Sequence, residues 1–122
     1  MKWSGPPKYN MRPEDVIRLR HMVEAAESAQ RFIAGRTRAD IDSDEQLRFA
    51  LIRAVEIIGE AASRMSPETR STVSLVPWAD IIFMRNRLVH AYFDIDHDIV
   101  WKTVTEDIPE LLLLVRPLLP KG

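Results

Sequence analysis

The chain of 122 residues contains no cysteine. That excludes disulfides and thiolate metal centres, and it is compatible with a reducing cytoplasm. Long apolar runs are missing as well. The longest, Leu111 to Val115, falls far short of the ~18 residues that a membrane span needs. The opening residues, Met1 to Pro7, lack the apolar centre of a signal peptide. Nor is there an excess of charge of one sign. Seventeen basic against eighteen acidic residues leave a net charge of −1, so whole-chain electrostatics give no pull toward nucleic acid, and any RNA contact must come from a local cluster. Repeats, low-complexity tracts and strand-period segments are absent.

What is present is the composition of one folded domain: 46% apolar and 29% charged residues, enough for a real core. Residues 1–12, rich in Pro, Gly and basic side chains, read as a flexible arm, with Met11 an alternative start; residues 13–120 read as the helical domain. The first helix is expected to start at Pro13, with Glu14 and Asp15 at its positive end, and to stop at Gly35. Its inward positions are Val16, Leu19, Val23, Ala26, Gln30 and Ile33. A short charged link, 36–42, leads to a second helix opened by a Ser43/Gln46 capping box. That helix is apolar except for a strip of Arg53, Glu56, Glu60 and Arg64, so a second copy of the chain is expected to cover part of it. Gly59 allows close helix contact. Ser66-Pro67-Glu68 starts an extra short helical turn. The third helix begins at Pro77 and the fourth runs from about Asp96 to Leu119, kinked at Pro109. The expected fold is all-α, an antiparallel four-helix bundle with that extra short helix.

The third helix holds the unusual stretch, Met84 to Asp94, which places Arg85, Asn86, His90 and Tyr92 within two helical turns. On an ideal helix Arg85 falls among Trp78, Ile81, Ile82, Leu88, Val89 and Tyr92, mid-stripe on an apolar face. A buried guanidinium is costly unless paired or lining a wet cleft. Arg85, Asn86 and His90 project into one sector. RNA cleavage without metal needs a base, an acid and a cation for the crowded phosphate. Histidine suits proton transfer, and Arg binds phosphate oxygens in pairs. The single motif histidine, His90, cannot comfortably be both acid and base, but two copies about a two-fold axis supply a pair. From spacing alone the bland reading is the stronger: a structural ion pair and a helix-surface histidine.

The spacing Arg85-x4-His90-x-Tyr92 resembles the R-x4-H-x-Y motif of HepT-like toxins, helical ribonucleases of the HEPN superfamily. The resemblance runs from Met11 to Leu119. It includes Arg-Pro-Glu-Asp-Val at 12–16, Ala-Val-Glu-Ile-Ile-Gly-Glu-Ala-Ala at 54–62 and the motif stretch at 85–96. It implies a homodimer whose facing motifs form a composite, metal-independent endoribonuclease site that needs no cofactor. Arg85 and His90 match the catalytic pair, and Asn86 matches a supporting polar residue. Tyr92 matches a tyrosine that receives AMP from an MNT-type nucleotidyltransferase antitoxin, as in a type VII-like toxin–antitoxin pair acting in the cytoplasm. The alternative is a non-catalytic HEPN dimer that uses the same cleft to hold a nucleotide or a partner, which the near-neutral charge favours.

Other polar residues read as structural. Asp94, Asp96, His97 and Asp98 look like helix-start capping groups, not metal ligands. His21 reads as a surface or interface residue. Glu56 and Glu60 pair with Arg53 or Arg64, or one of them holds the fork of Arg85. Trp78 and Trp101 read as core.

Overall fold

The computed structural model describes residues 11–90 and 94–120; residues 1–10 of the expected arm and Tyr92 lie outside the described residues. Helix α1 (Pro13–Ile33) starts and stops where expected, Gly35 leaving it with a positive φ of 73°. The supposed link contains a further helix, α2 (Arg38–Ser43), opened by a reciprocal capping box between Thr37 and Asp40. The next helix, α3 (Glu45–Ser63), is therefore capped one residue later than expected. The Asp44 carboxylate, not Ser43, accepts from the Leu47 N–H at 3.0 Å and also pairs with Arg36. Ser43 is the last residue of α2. The extra turn is present as α4 (Pro67–Thr72), capped by Ser66.

Asp15 does more than complement the α1 dipole. It is buried, and its carboxylate accepts from the Ser66 N–H at 3.0 Å and from the Ser66 and Thr69 hydroxyls at 2.6 Å each. Burial pushes its pKa up, but these bonds, together with nearby Arg12, outweigh burial and hold the group below its ordinary value. The start of α1 is thereby tied to the start of α4.

The expected third helix is broken. Trp78–Ile82 (α5) and Met84–Leu88 (α6) are separated by Phe83, whose φ of −92° and ψ of 4° lie off the helical values. After Leu88 the chain extends. Val89–His90 (β1) pairs antiparallel with Asp94–Ile95 (β2), Val89 opposite Ile95 and His90 opposite Asp94. The motif is thus not carried on one helix: Arg85 and Asn86 stand on α6, whereas His90 belongs to a short extended pair. The break at Phe83 also resets the angular phase, so Arg85 is not mid-stripe. Trp78, Ile81 and Leu88 are buried while Arg85 is exposed.

The fourth helical run holds to its expected bounds but changes pitch: α7 (His97–Lys102), a π-turn at Thr103–Asp107, α8 (Ile108–Val115) and a closing 3₁₀ turn at Arg116–Leu118. Pro109 has no N–H and its ring crowds the preceding turn. The widened turn, with the Ile108 N–H reaching back to the Thr103 carbonyl, lies immediately before it.

The chain is mostly helical and all-α in class. Helix α1 packs along α3, α8 lies on α1, and α5 and α6 lie on α3. The core joins Leu19, Met22, Leu51, Ile58, Leu88 and Ile108. Most of the apolar face of α3 is covered by the chain itself, with Leu51, Ala54, Val55, Ile58, Ala61 and Ala62 buried. The breadth of that face therefore does not by itself require a second copy. Trp78 is buried as expected, and Trp101 is half-buried.

Candidate active site

Gly59 positions the site. A Cβ on it would stand 3.2 and 3.3 Å from the carbonyl oxygens of Ile82 and Ile81. The absence of a side chain lets the end of α5 approach α3 this closely; a Cβ would require the carbonyls to give by a few tenths of an ångström. That approach places the α5–α6 junction over Glu56, one turn earlier on α3. The Arg85 Nε–H donates to Glu56 Oε2 at 3.0 Å, and Arg53 lies 3.8 Å from the other carboxylate oxygen. Of the two expected fates of Glu56, pairing with Arg53 and holding Arg85, it meets both. Glu60 pairs with Arg64 at 3.3 Å.

The Glu56 contact uses the inner edge of the guanidinium. Its two terminal nitrogens have no partner among the described residues. Arg85 lines an open groove of about 430 Å³ together with Asn86, Arg53, Glu56, Gly59 and Phe83. A carboxylate behind the fork and an open groove before it orient an arginine for an anion, since the outer N–H pair suits two phosphate oxygens. Phe83 is 59% exposed beside it, giving the groove an apolar wall.

Arg85 and Asn86 are brought together by α6. His90 follows two residues after α6 ends, its backbone fixed by pairing with Asp94. The single-sector arithmetic of an unbroken helix does not apply to it. Just beyond, the Asp96 N–H donates to the Leu88 carbonyl at 2.7 Å and the Asp96 carboxylate caps α7 by accepting from Ile99. His97 Nδ1 lies 2.7 Å from Asp42, and Arg38 joins Asp42 to Asp98. The residues after the hairpin thus anchor its far end to α2. Phe83 and Arg53 were not singled out as groove residues in the sequence. The i, i+3 spacing of Arg53 and Glu56 was visible, but their meeting with Arg85 depends on the approach at Gly59.

The Ribonuclease HepT-like family matches residues 22–118. The chain belongs to that family. A protein of Thermococcus cleftensis named "Probable ribonuclease HepT" is 40% identical over 93 residues, 76% of this chain and 84% of the relative. One from Caldanaerobacter subterraneus subsp. tengcongensis, "Putative RNase TTE0752", is 37% identical over 103 residues, covering 84% of this chain and 92% of its own length. A third, "Putative RNase MJ1380" of Methanocaldococcus jannaschii, is 43% identical over 77 residues, 59% of this chain and 71% of the relative. No solved structure matches the chain. The HepT-like match contains the whole Arg85-to-His90 segment, α3 with Glu56 and Gly59, and the Pro109 run. No described helix is long and apolar enough to cross a membrane.

Proposed function

We propose that this HepT-like chain is an endoribonuclease that cuts RNA without metal, at a composite site built by two copies, and serves as the toxin of a type VII-like toxin–antitoxin pair. The observation that carries this reading is the oriented Arg85: braced from behind by Glu56, open in front to a groove, and five residues ahead of His90. In this mechanism the outer edge of Arg85 binds the non-bridging oxygens of the scissile phosphate and stabilises the charge that builds on them. His90 of one copy removes the proton of the 2′-hydroxyl, which attacks the adjacent phosphorus. His90 of the other protonates the departing 5′-oxygen. The products are a 2′,3′-cyclic phosphate and a free 5′-hydroxyl. Asn86 supports the phosphate contact from the same turn of α6.

The same reading arranges α1, α3, the α5–α6 pair and the α7–α8 run as the four arms of a HEPN-like bundle. It makes Tyr92 the residue to which an MNT-type nucleotidyltransferase antitoxin transfers AMP. Two residues past His90, an added AMP brings bulk and negative charge to the phosphate site and blocks RNA.

The test is cleavage of RNA by partner-free protein in EDTA, with product ends analysed. Wild type is expected to leave 2′,3′-cyclic or 2′/3′-phosphate ends, and Arg85→Ala and His90→Ala are each expected to lose cleavage at least 100-fold while remaining folded. Full cleavage by both variants overturns the assignment. Binding of RNA without cleavage by the wild type favours the non-catalytic module instead.

A further inference from the structure

Thirteen of the seventeen basic residues are arginines. Among the described residues, eleven of them reach a carboxylate, a carbonyl or a hydroxyl; Arg18 and Arg20 do not. Arg20 is exposed, where water serves it. Arg18 is half-buried, and its Nε is enclosed with no hydrogen-bond partner. Removing a charged donor from water without giving it an acceptor is costly. With the Nε side shut off, the terminal N–H groups of Arg18 are the ones left to meet an anion in the groove that it lines.

Its surroundings agree. Arg18 lines an open groove of about 240 Å³ between α1 and α3, together with His21, Arg53, Ile57, Glu60 and Arg64. Of its three arginines, Arg64 engages Glu60 at 3.3 Å and Arg53 stands 3.8 Å from Glu56, which leaves Arg18 as the cation with no carboxylate partner among the described residues. This local positive excess stands against a chain of net charge −1. The groove shares Arg53 and Glu60 with the one that holds Arg85. Arg53 on α3 and Arg64 at its C-cap are eleven positions apart, a rise of ~16 Å at the helical repeat. That length suits consecutive phosphates of a strand better than a single small anion.

Resting on the ribonuclease reading, we propose that the Arg18–Arg53–Arg64 groove is a subsite for the single-stranded RNA backbone flanking the scissile phosphate, and that it leads the strand across α3 to Arg85. Specificity for a base is not built into it: guanidinium groups read phosphate, and the apolar contribution is limited to half-buried Ile57 and the small Ala61.

The experiment measures binding of a fluorescein-labelled, fully 2′-O-methylated 20-mer to the full-length protein by anisotropy at several salt concentrations. This probe has no 2′-hydroxyl nucleophile, so the readout is independent of whether the protein cleaves. Arg18→Met keeps the aliphatic stem and removes the charge, and Arg64→Gln removes the second cation. Each is expected to weaken binding about 3–10-fold and to flatten the slope of log affinity against log salt by about 0.7. Arg20→Met, which makes the same change in net charge outside the groove, is expected to bind as wild type. Wild-type affinity and slope in Arg18→Met and Arg64→Gln overturn the subsite whatever the outcome of the cleavage assay. Equal weakening by Arg20→Met also overturns it, reducing the effect to overall charge. Sedimentation of the RNA-free proteins is measured in parallel, and a changed oligomeric state in either groove variant overturns the proposal by making this face an interface between copies.

Discussion

Arg85 and Glu56 show how much of a site can depend on one carboxylate. The pair is largely exposed, with Arg85 51% and Glu56 32% accessible, so its worth to folding is below about 1 kcal/mol. In the role proposed for Arg85 its worth to orientation is larger, because a phosphate clamp must be placed to a fraction of an ångström. Glu56→Gln is therefore expected to lower RNA cleavage by about 10–100-fold with a change in unfolding free energy below about 1 kcal/mol, read by single-turnover kinetics and urea titration. Asp15 is the opposite case, remote from the groove but energetically central. Asp15→Asn removes the charge that three donors share and is expected to cost about 2–3 kcal/mol in the same titration. The folded-state pKa of Asp15 lies below the ordinary carboxylate value. Its stabilisation is therefore fully present above that ordinary value and is lost as pH falls through the lower folded value. Between pH 5 and pH 3 the melting temperature of wild type is expected to fall more steeply than that of Asp15→Asn. The sequence singled out Arg85 through its spacing to His90, but it did not reveal the exposure of Arg85 or the role of Asp15. Both depend on contacts separated by 29 and 51 positions or more, which no helical period encodes.

Among the elements, the long periodic helices were legible and the interruptions were not. Helix α1 has a proline start and a glycine stop, and α3 has an acid cap within one residue of the expected position. Local chemistry settles such ends. The break at Phe83 has no proline or glycine to announce it, and Met84 to Leu88 continue to look helical because they are. What ends the run is tertiary: the carbonyls of Ile81 and Ile82 lie against Gly59, and the strand pair begins at Val89. Pro109 was correctly read as a disturbance, although its local form is a π-turn upstream. Gly59→Ala tests the junction. Alanine favours a helix by up to ~1 kcal/mol, but here its Cβ meets backbone carbonyls that must give by a few tenths of an ångström. The expected outcome is net destabilisation by about 1–2 kcal/mol. Because the α5–α6 junction carries Arg85, a loss of cleavage greater than the unfolded fraction explains is also expected. Increased stability with full cleavage would show that the junction yields freely and that Gly59 does not set the position of Arg85.

At the scale of the whole molecule, the near-neutral chain resolves into a surface with cations gathered on one side of α3. Arg18, Arg53, Arg64 and Arg85 line two joined grooves, opposed there by Glu56 and Glu60. Average charge concealed this, because charges on other faces cancel in the sum. The case for a second copy also changes footing. The core of α3 is covered internally, and what stays open along the arginine side is Phe49, 53% exposed, and Phe83 at the mouth of the Arg85 groove. Two exposed phenylalanines beside a polar cleft suit an interface that leaves the cleft accessible. The proposed mechanism asks for that interface independently, since one imidazole cannot be acid and base in the same step. If the working site is shared between copies, specific cleavage activity must fall on dilution. Below the dimer dissociation constant the active fraction declines about tenfold for each tenfold dilution, as mass action requires. Activity and sedimentation measured over the same concentration range test this. Cleavage per chain that holds constant while the protein dissociates would place both proton transfers within a single copy, with a group other than a second His90 serving as acid or base.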